Sequence, residues 1–214
     1  MKGVSKKIAF IVNPNAAMGA TGREWPRIQN IDLGLIRYMD NNGKYSCRYF
    51  HNITSFGIGG EVAERVNKGN KALGGFISFI MATLVSLLTY DKKAIHLKVD
   101  SSVNMTMLNW HIAVANGQYQ GGGMRVAPKA RYDDGLFHIT VIGDITRVEV
   151  FRYLPKLYNG KIFEIKKVIS LTGKRVEAWS NQKILLDVDG EQPGQLPVTI
   201  DMVPGVLPLF STVS

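Results

Sequence analysis

The sequence predicts a chain of two characters, a short α/β beginning followed by a long, mostly β remainder. Three observations carry that expectation. Residues 7–12 (KIAFIV) form a short apolar run ending at Asn13-Pro14, and the uncharged stretch 15–22 leads into a helical start at Arg23-Glu24-Trp25. A buried strand, a small-residue turn and a helix are the opening of an α/β unit. Strand-like residues 36–39 and 45–50 flank Asp40-Asn41-Asn42-Gly43, and Asn-Gly between two such runs is a hairpin signal. Residues 95–100 (IHLKVD) alternate apolar and polar side chains, as a half-buried strand does.

Taken in order, the elements are as follows. Pro26 sits in the first turn of the opening helix, where proline is tolerated. That helix has barely begun when a strand pattern takes over around residues 29–34. A crossover between parallel strands needs a dozen or more residues, so the α/β unit is expected to be incomplete at Asn30 and Ile31. Residues 55–60 read as a glycine-rich bend and residues 61–66 as a helix. Residues 72–90 carry no charge. Strands are expected at 108–115 and 137–142. A helix over 146–158 would place Val148, Phe151, Leu154 and Leu157 on one face. Strands follow at 163–171, 176–179, 184–188, 198–202 and 206–210, the last two separated by Pro204-Gly205.

The chain has 214 residues, 45% apolar and 20% charged. These values suit one large or two small globular domains and exclude a disordered or fibrous chain. The sole cysteine, Cys47, excludes an internal disulfide framework and a cysteine-rich zinc site, which favours a reducing cytosolic compartment. No apolar signal core follows the early lysines, so no secretion signal is expected. Twenty-six Lys and Arg against 17 Asp and Glu give a formal charge of +9, which favours anionic partners. The basic residues are dispersed and show no RNA-binding signature, so nucleic acid is not an expected partner.

Several segments can carry chemistry. Residues 72–90 are just long enough for a membrane span. Gly74, Gly75, Ser78, Thr83, Ser86 and Thr89 interrupt them, so a buried helix is favoured, then a helix lining an apolar ligand or facing a membrane. Gly57-Ile58-Gly59-Gly60 approaches a dinucleotide fingerprint but lacks its third glycine and the later acid; a tight bend into a helix is the simpler reading. The loop 116–124 (NGQYQGGGM) has three consecutive glycines, whose amides could face an anion or merely form a flexible hairpin. In the turn 127–136, Asp134 with neighbouring carbonyls could hold a hard cation, although an Asp-Gly turn alone explains it.

Asp187, Asp189 and Glu191 place three acids in five residues. They would share one face if the strand continued. Clustered acids raise at least one pKa, which suits a general base. An exposed acidic turn is the alternative. The four histidines lack ligand spacing, and no G-x-S-x-G nucleophile motif is present.

In order, several of these segments resemble the bacterial diacylglycerol-kinase-like lipid kinases, the family that includes sphingosine kinases. The resemblance rests on Ile11-Val12-Asn13-Pro14; on residues 49–52 (YFHN) leading to Gly57; and on Asn116-Gly117 with Gly121-Gly122-Gly123-Met124. It continues through Ala127-Pro128, Ala130 and Asp134-Gly135-Leu136, and ends at Asp189-Gly190-Glu191. It implies two domains: an N-terminal α/β nucleotide-binding domain, incomplete here and represented by 1–30 with 206–214, and a C-terminal β-sandwich over 31–205. It implies an ATP-dependent kinase that phosphorylates a diacylglycerol-like hydroxyl, cytoplasmic and peripheral at the inner membrane face.

By the same resemblance, Asn13, Pro14, Asn15 and Gly19 would line the ATP site. Glu191 would accept the lipid hydroxyl's proton, with Asp189 orienting the site. A structural Mg²⁺ would sit on the Asp134 carboxylate and the carbonyls of Arg131 and Leu136. Exposed β-edges would permit a homodimer. The family's Gly-Gly-Asp-Gly-Thr motif is absent from the sequence, as is the usual Ser-Gly after Pro14. Two other readings therefore stand beside the kinase: a non-catalytic lipid-binding β-sandwich, and a nicotinamide-nucleotide kinase.

Overall fold

A computed structural model describes residues 27–69 and 75–211. The expected opening strand, loop and helix lie outside the described residues, as do Asn13, Pro14, Asn15 and Gly19. Residues 31–207 form one compact unit.

Two sheets make up this unit. The elements run β1 (Arg27–Asp40), β2 (Tyr45–Phe50), β3 (Ile53–Gly57), α1 (Ile58–Lys68), α2 (Gly75–Thr89), β4 (Lys93–Val99), β5 (Val103–Asn109), β6 (His111–Ala115) and β7 (Phe137–Ile142). They continue with α3 (Arg147–Tyr158), a short 3-10 turn (Ile162–Glu164), β8 (Val168–Gly173), β9 (Arg175–Trp179), β10 (Leu186–Val188) and β11 (Gly194–Ser211). One sheet has the order β2-β1-β11-β9-β4-β5, the other β10-β3-β6-β7-β8. Ile36, Phe50, Ile95, Leu97, Val99, Val176 and Ile200 from the first interdigitate with Phe56, Ile112, Val114, Phe137, Ile139 and Leu186 from the second in one buried cluster. The expected β-sandwich is therefore what forms.

The alternation read at 95–100 does what it predicts: Ile95, Leu97 and Val99 are fully buried while Ala94, His96 and Lys98 are not. The predicted hairpin also forms. Asp40 N–H donates to the Lys44 carbonyl at 2.8 Å, and Asp40 Oδ1 takes the N–H of Asn42 and Lys44 at 2.8 and 2.9 Å. Gly43 sits at φ 75°, a region other residues enter at a cost.

Four expectations are corrected. The strand read at 108–115 breaks at Trp110, and its halves β5 and β6 belong to different sheets. The strand read at 163–171 begins as the 3-10 turn. The runs at 198–202 and 206–210 are one strand; Gly205, at φ 62°, carries the chain past Pro204 and donates its N–H to Asp32 Oδ1 at 2.7 Å.

The fourth correction concerns the uncharged helix. It is not a buried helix. Ala82, Ser86 and Leu87 are buried, but Ile80, Met81, Leu84, Val85 and Leu88 are exposed. One side packs on α1, and no described element covers the other. Among the described residues no helix is long and apolar enough to cross a membrane.

The glycine-rich bend 57–60 has a packing cause. A Cβ on Gly57 would stand 2.5 Å from the Trp110 carbonyl oxygen, and one on Gly60 2.2 Å from that of Leu185. These glycines let the start of α1 lie directly on two backbones. Helix α3 is started by a capping box: Thr146 Oγ1 accepts the Glu149 N–H at 3.2 Å while the Glu149 carboxylate takes the Thr146 N–H at 2.7 Å. Its apolar residues divide. Leu154 and Leu157 turn inward, whereas Val148 and Phe151 are exposed.

Candidate functional site

Strand β10 stops at Val188, and the next two residues make a tight turn. Val188 N–H donates to the Glu191 carbonyl at 2.8 Å and Glu191 N–H returns to Val188 at 3.1 Å. Asp189 and Gly190 sit at φ 50° and 88°, the two positive values of a type I′ turn. The strand therefore does not continue, and the three acids do not share a face.

Each acid meets a different environment. Asp187 is buried. The Asp189 carboxylate accepts the backbone N–H of His51 (2.9 Å), Asn52 (3.1 Å) and Ile53 (3.0 Å), and pairs with His51 Nδ1 at 2.8 Å. Its own N–H donates to the Ile53 carbonyl. Asp189 thus pins the segment that joins β2 to β3. Glu191 points outward, two-thirds exposed, and pairs with Arg48 at 2.7 Å.

Beside this turn lies a cavity of about 550 Å³. Its wall is mostly apolar: Ile58, Val62 and Val66 from α1, Phe79 and Leu87 from α2, and Tyr153, Leu154 and Leu157 from α3. Gly121 and Gly122 of the triple-glycine loop complete part of it. That loop is a closed hairpin, with Gln120 and Met124 exchanging backbone hydrogen bonds at 2.9 and 3.1 Å. The hairpin reading holds, with the added role of cavity wall.

Among the polar residues of the lining, His111, Gln120 and Asp187 belong to one short polar chain. His111 Nε2 meets Gln120 Oε1 at 3.1 Å, and Gln120 Nε2 donates to Ser55 Oγ at 2.8 Å and to Asp187 Oδ2 at 2.7 Å. Asp187 Oδ1 takes the Gly190 N–H at 2.8 Å. Burial pushes the Asp187 carboxyl up to about 6, against the bonds from Gln120 and Gly190 that lower it. Burial pushes His111 down to about 4.

These shifts have opposite consequences for stability. A raised acid favours the fold when protonated, so the Asp187 contribution is full below its ordinary value of 3.8 and lost as pH rises through about 6. A depressed base favours the fold when neutral, so the His111 contribution is full above 6.5 and lost as pH falls through about 4. Each shift corresponds to about 3 kcal/mol, and between these pH limits the two oppose each other. Asp187→Asn is expected to unmask the histidine. The variant should lose about 3 kcal/mol between pH 6.5 and pH 4 in urea titrations, where the parent changes little from this pair. A flat profile for the variant would mean that His111 is not held as a buried neutral base.

The Asp134 turn forms as an Asp-Gly turn. Asp134 Oδ1 accepts the Leu136 N–H at 3.1 Å and Oδ2 pairs with His138 Nε2 at 2.9 Å. Buried Asp32, which sequence reasoning also missed, braces the same turn: Oδ2 takes the Gly135 N–H at 2.7 Å and its own N–H donates to the Tyr132 carbonyl. Oxygen donors suit Mg²⁺, and each Asp134 oxygen accepts one hydrogen bond here. The Asp134 carboxylate and the carbonyls of Arg131 and Leu136, which would hold such a cation, all belong to this segment.

No sequence signal marked His111, Gln120 or Asp32, because their partners are distant in the chain. Asp187 lies in the acidic run, but local sequence does not show that it is buried.

The fold is thus an antiparallel β-sandwich with a half-open apolar cavity beside an Asp-Gly-Glu turn. Residues 52–211 match the family model described as the YegS C-terminal NAD kinase beta sandwich-like domain, and the chain belongs to that family. A diacylglycerol kinase of Mycobacterium tuberculosis (strain ATCC 25618 / H37Rv) is 27% identical over 195 residues, covering 91% of this chain and 60% of that protein. A protein named "Probable lipid kinase YegS-like" of Xanthomonas euvesicatoria pv. vesicatoria (strain 85-10) is 24% identical over 181 residues, covering 82% of this chain and 56% of the other. The chain thus spans about 60% or less of these relatives. A solved diacylglycerol kinase from Bacillus anthracis str. Sterne superposes with TM-score 0.55 at 16% identity, over 88% of this chain and 55% of that one, a likeness of fold. The resemblance to bacterial lipid kinases read from the sequence is borne out.

Proposed function

We propose that the chain is the lipid-receiving part of an ATP-dependent lipid kinase, with residues 31–205 as the β-sandwich and residues 1–30 and 206–214 belonging to the nucleotide domain. The observation that carries this is the apolar cavity bordered by Asp189 and Gly190, at the position the Asp-Gly-Glu motif occupies. A cavity of that size accepts an acyl chain and leaves a headgroup near the turn. Glu191 takes the proton of a diacylglycerol-like hydroxyl as its oxygen attacks the γ-phosphorus of ATP. The bond to the β-phosphate oxygen breaks and ADP departs. A divalent cation bound with ATP would neutralise phosphate charge. Arg48 orients the Glu191 carboxylate.

The test is transfer of labelled phosphate from ATP to diacylglycerol in mixed micelles. ATP-dependent product supports the kinase; lipid binding without product supports the non-catalytic module instead.

The bare face of α2 is the membrane-contacting surface of this enzyme. Ile80, Met81, Leu84, Val85 and Leu88 are exposed beside Phe79, Thr83 and Leu87, which line the cavity. A lipid leaving a bilayer would meet this helix at the cavity's edge. The formal charge of +9 favours anionic headgroups. An apolar helix face and basic surface are the two components of interfacial binding. Changing Leu84 and Leu88 together to Glu should weaken sedimentation with phosphatidylglycerol vesicles at least tenfold, given about 1.5–3 kcal/mol for fully burying a leucine. Unchanged sedimentation of a folded double variant would remove α2 from the membrane surface.

A further inference from the structure

We infer that the outward side of α3, with the 3-10 turn after it, is the surface by which this protein selects anionic phospholipid bilayers over neutral ones. The inference rests on the membrane reading of α2 above and supplies the charged part that α2 lacks.

Helix α2 carries no charged residue. Its bare face can lie in a bilayer but cannot tell one headgroup from another. Helix α3 starts beside the end of α2. Arg147 Nη2 donates to the Tyr90 carbonyl at 3.3 Å and pairs with Asp91 at 2.9 Å, and Val150 packs against the cluster of Leu87, Tyr90, Trp110 and Ile145. Like α2, α3 has two apolar sides. Val150, Tyr153, Leu154 and Leu157 line the cavity. Val148, Phe151, Pro155 and Tyr158 are exposed, and their helical spacing sets them in one stripe.

Positive charge surrounds that stripe. Residues 147–167 hold six Lys and Arg against Glu149 and Glu164, a net charge of +4 within the chain's +9. Lys156 and Lys167 pair with those two glutamates, at 2.9 and 3.4 Å. Arg152, Lys161 and Lys166 are exposed and make no ion pair among the described residues. Two more cations arrive from a distant segment. Lys129 Nζ lies 5.6 Å from the centre of the Phe163 ring, and the Arg125 side chain runs against Gly160, where a Cβ would stand 3.1 Å from its Cδ. Basic residues dispersed along the sequence are thus gathered on this side of the fold.

Unpaired cations flanking an exposed aromatic and aliphatic stripe are what an interfacial helix presents to anionic lipid. The stripe adjoins the uncharged face of α2, and a polyanion such as RNA offers nothing to cover that face.

The test is sedimentation of the full chain with vesicles of phosphatidylcholine alone and of an equimolar mixture with phosphatidylglycerol. The wild type should bind the mixed vesicles more tightly, by a factor that shrinks as salt is raised. The triple variant Arg152→Gln, Lys161→Gln, Lys166→Gln should bind the mixed vesicles about a hundredfold more weakly, at about fivefold per cation, and phosphatidylcholine alone as the parent does. All three side chains are exposed, so its urea midpoint should match the parent's. Phe151→Ala should weaken binding to both vesicle types alike, by about tenfold. Equal binding of the two vesicle types by the wild type, or a triple variant as tight as the parent on mixed vesicles, overturns the inference and leaves α2 as the membrane contact. Sedimentation with neither vesicle type overturns both. Binding to poly(U) RNA as tight as to the mixed vesicles would assign the surface to nucleic acid and also overturns it.

Discussion

Asp189→Ala is expected to lower stability by about 3 kcal/mol, read as a shift of the urea midpoint at constant slope. The carboxylate takes three consecutive backbone N–H groups, those of His51, Asn52 and Ile53. Removing it leaves all three to find water in a partly buried segment, each at a cost of about 1 kcal/mol. Alanine at φ 50° adds to the loss, since only Gly, Asn and Asp visit that region readily. Asp189→Asn keeps one acceptor oxygen and tolerates the same φ, so it should lose less than half as much. An alanine variant within about 0.5 kcal/mol of the parent would show that the segment does not depend on this carboxylate.

Glu191→Gln should abolish most lipid phosphorylation while leaving the fold unchanged. A positioned general base contributes about 10²–10⁴-fold, so turnover should fall at least a hundredfold with little change in the lipid KM. Glu191 is two-thirds exposed and its pair with Arg48 lies at the surface; losing such a pair costs little stability. Full activity in the glutamine variant would sink Glu191 as the base. Together the two variants give separable results: Asp189→Ala reads out in stability, and Glu191→Gln in the rate of the proposed phosphorylation.

The different surroundings of the two acids come from a turn of two residues. The composition Asp-Val-Asp-Gly-Glu does not say whether the strand runs on or folds back. Had it run on, all three acids would have shared one surface. The positive φ values at Asp189 and Gly190 reverse the chain, and the reversal buries Asp187, caps the start of β3 with Asp189 and turns Glu191 out to Arg48. The uncharged helix shows the same limit. Its lack of charge marks α2 as unusual, but whether a partner covers it depends on elements far away in sequence, and no described element does.

Local pattern was enough for much of the fold. Alternation placed β4, Asn-Gly placed the β1–β2 hairpin, helical spacing from Thr146 placed α3, and the ordered motifs placed the chain among lipid-kinase relatives. Those signals are legible because their physics acts between residues a few positions apart. The cavity, the His111–Gln120–Asp187 chain and the bracing of the Asp134 turn by Asp32 were decided only by tertiary structure. They join residues separated by 9, 67 and 103 positions, and burial, which displaces the pKa values of His111 and Asp187, exists only once both sheets and the helices above them have closed.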